Sequence, residues 1–206
     1  METKQIPVVI YAESTPNPAS MKFVANRMLI AEGATAQYLN AAETKKAPLP
    51  AKLFRFPFVK GVFISANYIT LTKSDIVTWD DVLLEMREFL REYLNKGNAV
   101  IEELPSQEVA TDSSFKKTTT VFTEHAAPQN EAETKIVEVL EQYIRPAVEQ
   151  DGGLITFRSF ENGIVTVQLR GACSGCPSST ITLKAGIEAL LKRLVPGVNE
   201  VVAEAL

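Results

Sequence analysis

The stretch "GACSGCPSS", Gly171 to Ser179, holds both cysteines of this 206-residue chain, Cys173 and Cys176, with two residues between them. Such a pair can cycle a disulfide, ligate a metal as thiolates, or pack as two inert thiols. The setting favours reactivity over packing. Leu169 ends an apolar run that reads as a strand and Pro177 suits the first turn of a helix, so the pair lies at a strand-to-helix junction. Unpaired amides at a helix start carry partial positive charge, favour thiolate over thiol and can donate to sulfur. Ser178, Ser179 and Thr180 add hydroxyl donors, and Gly171 and Gly175 leave room for a bulky inorganic group to approach. Arg170 reads as a solvated charge at the strand end.

As a redox pair, Cys173 and Cys176 would make a thioredoxin-like dithiol/disulfide oxidoreductase, but here the motif follows a hairpin late in a short domain. As metal ligands, two thiolates fall short of the four that structural zinc or an iron-sulfur cubane takes. His125, the only histidine, falls in a polar stretch and reads as solvated and uninvolved. A symmetric dimer removes the shortage, because two CxxC loops facing each other across a two-fold axis supply four sulfurs. A zinc-bridged structural dimer meets the same count. A metal held this way sits exposed at an interface, suited to being passed on.

The elements that must position the pair follow from periodicity. Residues 98–130 are polar and without a sustained period, and read as a linker in which Val109, Phe115, Val121 and Phe122 could dock on a domain. After it, Asn130 and Glu133 suit a helix cap, and Ile136, Leu140, Tyr143, Ile144 and Val148 trace an apolar stripe, with Pro146 expected to bend the helix or start its last turn. The helix stops at "DGG", where Gly152 or Gly153 can turn left-handed. A hairpin follows around Asn162-Gly163, which places Phe160 opposite Val165; Ile155 and Phe157 fit the buried face of Val165, Val167 and Leu169 less well. A helix with Leu183, Ile187, Leu190, Leu191 and Leu194 on one face and a strand, Val198 to Val202, complete the order α-β-β-α-β. Before the linker, strands are expected near Val8 to Tyr11 and Met21 to Val24, separated by the loop "STPNPAS". A hairpin turns at Ala66-Asn67, and Thr78 with Asp81 caps a helix carrying Val82, Leu83, Met86, Leu90 and Tyr93. The phenylalanines 54, 56 and 58 are expected in its core. The fold class is therefore α+β: two small α+β domains, residues 1–97 and 131–206, joined by the linker 98–130.

Composition narrows the function. The chain is 46% hydrophobic and 22% charged, and no apolar run approaches the roughly 18 residues of a membrane span. A net charge of -4 disfavours nucleic acid. The start "METKQIPVVIYAES" lacks a secretory pattern, and two cysteines build no disulfide framework, so a reducing, cytoplasmic setting is expected.

From Ile136 to Val202, the strings "IRPAVEQDGG", "GACSGCPSSTITLKAGIEALL" and "VPGVNEVV" resemble the NifU-like C-terminal domain of Nfu iron-sulfur proteins. The first half, with "STPNPASMKF", "PLPAKLFRFPFVKGVFISANYITLTK" and the helix holding Trp79, resembles the Nfu N-terminal domain. One departure is Leu154, where family members commonly carry Asp or Asn after "DGG". The resemblance implies a non-enzymatic carrier. It would hold a 4Fe-4S cluster, or a 2Fe-2S cluster, between two protomers of a homodimer through Cys173 and Cys176, receive it from an upstream cluster-assembly scaffold and deliver it to apo iron-sulfur client proteins. The cysteine-free N-terminal domain would serve recognition, with "TPNP" a rigid turn.

Overall fold

The computed structural model describes residues 6–31, 33–103, 125–174 and 177–205, the side chains of residues 175–180 and 205 excepted. Valines 109 and 121, phenylalanines 115 and 122, and Cys176 lie outside the described residues.

The first half builds an antiparallel sheet in the order β1-β2-β5-β4-β3, from β1 (Ile10–Ser14), β2 (Ser20–Ala25), β3 (Thr35–Tyr38), β4 (Val59–Ser65) and β5 (Tyr68–Lys73). Ala66, at φ 45°, makes the tight turn between β4 and β5. Alternation divides each strand between two faces. Phe23, Val62, Ile64, Ile69 and Leu71 face α1 (Pro48–Leu53) and α2 (Trp79–Asn95), whose Val82, Met86 and Leu90 complete the core. Thr78 N–H donates to Asp81 Oδ2 at 3.0 Å, the reciprocal half of the expected capping box at the start of α2. Phe58 is buried and Phe54 and Phe56 pack on the same core, as expected. Part of the segment that feeds them is helical: α1 starts with Pro48 in its first turn and ends at Leu53.

The second half opens with α3 (Glu131–Val139), capped by Asn130 Oδ1 accepting from Glu133 N–H at 2.9 Å. A π-helical stretch, Leu140–Ile144, follows, then α4 (Arg145–Gln150) with Pro146 in its first turn. The wider π turn shifts the helical phase, so Ile136, Leu140 and Val148 are buried while Tyr143 is 53% exposed. Gly152 ends α4 at φ 79°.

Strands β6 (Gly153–Glu161) and β7 (Ile164–Gly171) form the expected hairpin, with Asn162 at φ 52° and Gly163 at φ 81° and Phe160 opposite Val165. A bulge at Arg158, between the pairs Phe157–Val167 and Ser159–Thr166, resolves the awkward register. The extra residue flips the parity, so odd-numbered Ile155 and Phe157 share the helix-facing side with even-numbered Phe160. Strand β8 (Glu200–Ala205) pairs parallel to β7, and α5 (Pro177–Leu194) covers this face with Ile187 and Leu191.

Both sheets are buried on their second face as well. In the first, Lys22, Thr35, Ser65 and Thr70 point away from α1 and α2 yet are buried; in the second, Leu154, Thr156, Gln168 and Arg170 point away from α5 and are buried. The two faces cover each other, with Leu154 packed in one cluster with Phe63 and Tyr68. The order of layers is helices, sheet, sheet, helices. Leu154, the departure from the family string, thus has an apolar partner in the other domain. Arg170 corrects the expectation of a solvated charge: it is 6% exposed, bonded through Nη2 to Gln168 Oε1 at 2.8 Å, and burial aided by the nearby Arg158 charge lowers its pKa to about 10.

Candidate functional site

The cysteine loop begins where β7 runs out. Gly171 takes φ 66°, a left-handed angle that turns the chain, and Ser174 closes the turn by donating through its N–H and Oγ to Gly171 O, at 3.1 Å and 2.9 Å. Ala172 and Cys173 lie at its tip, and α5 starts at Pro177. The "DGG" turn forms the floor. Ala172 N–H donates to Gly152 O at 3.2 Å, and a Cβ at residue 153 would stand 2.6 Å from Cys173 Sγ and 2.8 Å from Arg170 O. Only glycine fits there. The two glycine-bearing turns, far apart in sequence, are one structural unit.

Cys173 is buried, 8% exposed, and packed on the core of the second domain. Burial, with the charge of Asp151 second, raises its pKa to about 12. In this conformation burial favours the neutral thiol, whereas the sequence reading expects a helix start to favour the thiolate. A cleft of about 400 Å³ opens beside it, lined by Asp151, Ala172, Cys173, Thr182 and Leu183 of the second domain and Pro16 and Asn17 of the first.

The first domain grips the backbone of this unit. Asn17 Nδ2 donates to Ala172 O at 3.1 Å, and Gly171 N–H donates to Gln37 Oε1 at 3.0 Å. Thr70 Oγ1 donates to Gly152 O at 2.7 Å, Tyr68 OH to Gly153 O at 3.3 Å, and Lys22 Nζ to Gln150 O at 3.1 Å. Sequence reasoning misses Asn17, because it reads "TPNP" as a turn alone. Asn17 does serve the turn: its Oδ1 accepts from Ala19 N–H at 3.0 Å, leaving Nδ2 to reach across. An amide side chain set rigidly between two prolines was the available signal.

His125 lies apart from the cysteine loop and is not solvated. Its side chain is 9% exposed, Nδ1 accepting from Phe157 N–H at 2.7 Å and Nε2 meeting Glu141 Oε1 at 2.5 Å, with Arg145 on the same carboxylate. Burial lowers its pKa, against an opposing pull from Glu141. With Ala126 N–H donating to Phe157 O at 2.9 Å, it fastens the chain entering the second domain to β6. Among the described residues, no three His, Cys, Asp or Glu cluster as a metal site, and no helix is long and apolar enough to cross a membrane.

Comparison with known proteins assigns both halves. The family model described as scaffold protein Nfu/NifU N terminal matches residues 10–97, and that of the NifU-like domain matches residues 136–202. The chain is 33% identical over 192 residues to the Drosophila sechellia protein named NFU1 iron-sulfur cluster scaffold homolog, mitochondrial, covering 93% of this chain and 63% of that one. It is 36% identical over 199 residues to NifU-like protein 5, mitochondrial, of Arabidopsis thaliana, covering 95% and 67%. The chain thus spans somewhat under two thirds of the length of its fly relative. A NifU-like protein from Saccharomyces cerevisiae, solved by NMR, superposes with a TM-score of 0.41 at 20% identity over 50% of this chain and 92% of its own. The mitochondrial names of the relatives overturn the cytoplasmic expectation. Cysteine usage by itself does not separate one reducing compartment from another.

Proposed function

The chain belongs to the Nfu family of NifU-like proteins, and on that premise we propose that it is an iron-sulfur cluster scaffold and carrier rather than a catalyst. The cluster is cargo. Cys173 and Cys176 of one chain and the same pair of a second hold a 4Fe-4S cluster between them, and client thiolates displace these ligands one at a time during delivery to apo iron-sulfur proteins. An upstream assembly scaffold supplies the cargo. The domains divide the work at residues 1–97 and 131–206, with 98–130 joining them.

One observation carries the reading: the match to the NifU-like domain runs through a CxxC loop whose Cys173 sits on a glycine floor, beside a cleft of about 400 Å³. The chain's own residues supply the fit. Gly153 makes room for the sulfur, Gly171 turns the loop, and Ser174 ties the turn.

The test is stoichiometry under anaerobic purification. A bridging cubane predicts about two irons and two sulfides per chain and a metal-dependent dimer, a bridging two-iron cluster about one of each, and bridging zinc about half a metal. Cys173→Ala is expected to abolish cluster retention. A metal-free monomer that resists reconstitution and instead cycles a disulfide would replace the carrier with an oxidoreductase.

A further inference from the structure

We propose that the N-terminal domain is a removable cover for the cysteine loop: the docked arrangement is a closed state, and the domain must swing away before Cys173 can meet a second chain. The second half of that statement rests on the carrier reading; the cover itself does not.

The docking is specific in its chemistry. Asn17, Lys22, Gln37, Tyr68 and Thr70 each bring a side chain to a main-chain group of the second domain, and those groups fall in two short stretches, Gln150 to Gly153 and Gly171 to Ala172. The cover therefore reads the conformation of the two turns that cradle Cys173. Any rearrangement of Gly171 and Ala172 that turns the sulfur outward breaks the bonds to Gln37 and Asn17. Docking and presentation of the thiol compete for the same backbone.

Coverage is also steric. With the domain docked, Pro16 and Asn17 form part of the wall of the cleft at Cys173, whose exposure is 8%. A second chain's loop approaching Cys173 through this cleft would meet those residues. The complementary faces support the same inference: Thr70 is 1% exposed and Leu154 1% exposed, although neither belongs to the helix-facing core of its own domain. Leu154 with Phe63 and Tyr68 provides the apolar part of the contact. Gly152 provides the close approach, since a Cβ there would lie 2.8 Å from Thr70 Oγ1 and 3.3 Å from Lys22 Cβ.

Two substitutions on opposite sides of that approach open the cover without entering either core. Thr70→Arg places a long charge on the docking face of β5. Gly152→Asn inserts a side chain between the domains while keeping a residue that tolerates φ 79°. The readout is the rate at which iodoacetamide alkylates Cys173 in the iron-free full-length chain, assigned to Cys173 rather than Cys176 by mass-spectrometric fragmentation of the peptide 171–184 that carries both. A closed state with an open population of about 0.1–10% predicts acceleration of about tenfold or more in both variants. Wild-type rates in both would overturn the cover. The second readout is the rate of iron-dependent dimer formation, which should rise in the same variants; faster alkylation with unchanged dimerisation would leave a cover that does not gate the cargo, against the proposal. A wild-type chain that loads no iron at all would count against the carrier reading, with the alkylation result still deciding the cover.

Discussion

At the scale of single residues, the chemistry turns on what surrounds one sulfur. Burial is the larger cause of the raised pKa of Cys173 and the Asp151 carboxylate the smaller. Asp151→Asn removes a charge that opposes the thiolate, so the pH profile of Cys173 alkylation should move to lower pH, by less than full exposure would move it. A profile that stays in place would remove Asp151 from the account. Gly153 makes a second prediction. Its missing side chain is where Sγ and Arg170 O converge, 2.6 Å and 2.8 Å from where a Cβ would stand, and Arg170 O belongs to backbone that cannot yield cheaply. Gly153→Ala should destabilise the second domain by about 1–3 kcal/mol in denaturant titration, as overpacking does. Gly186→Ala is the control: a Cβ there meets nothing within 4 Å.

At the scale of elements, the helix caps, the hairpin at Asn162-Gly163 and the helix after Thr78 were legible in sequence because each rests on neighbours within a few residues. The CxxC spacing is local in the same way and marks Cys173 and Cys176 as candidates only. What escaped depends on partners far along the chain or on a single inserted residue. The bulge at Arg158 changes which parity is buried, and the π turn at Leu140–Ile144 rotates Tyr143 outward. His125 looked solvated because its neighbours are polar; its actual partners are Phe157 and Glu141, brought by folding. That network has a pH signature. Nδ1 accepts from Phe157 N–H, so the site needs the neutral ring, and burial lowers the folded pKa below the ordinary 6.5. The unfolded chain then binds the proton first. Stability from this site is complete above about pH 6.5 and is lost as pH falls through the folded pKa. His125→Gln cannot titrate, so its melting temperature should decline less than that of the wild type between pH 7 and pH 5. Equal decline would mean the ring takes up its proton without cost.

At the scale of the whole molecule, two sheets meet across a contact that, among the described residues, comprises five side-chain-to-backbone hydrogen bonds and a small apolar cluster. Each such bond contributes about 0.5–1.5 kcal/mol net, whereas each domain has its own larger apolar core. The contact should therefore open well before either domain unfolds. Amide exchange can separate the two events. Gly171 N–H bonds to Gln37 across the contact, so it becomes free on undocking alone. Val167 in β7, between β6 and β8, and Ile69 in β5, between β2 and β4, lie inside their own sheets and report on the domains themselves. In the wild type Gly171 should exchange faster than Val167 and Ile69. Thr70→Arg should erase the protection of Gly171 while leaving that of Val167 and Ile69 within a few-fold. If all three lose protection together, the two domains unfold as one cooperative body, and the first cannot lift off the second to release the loop.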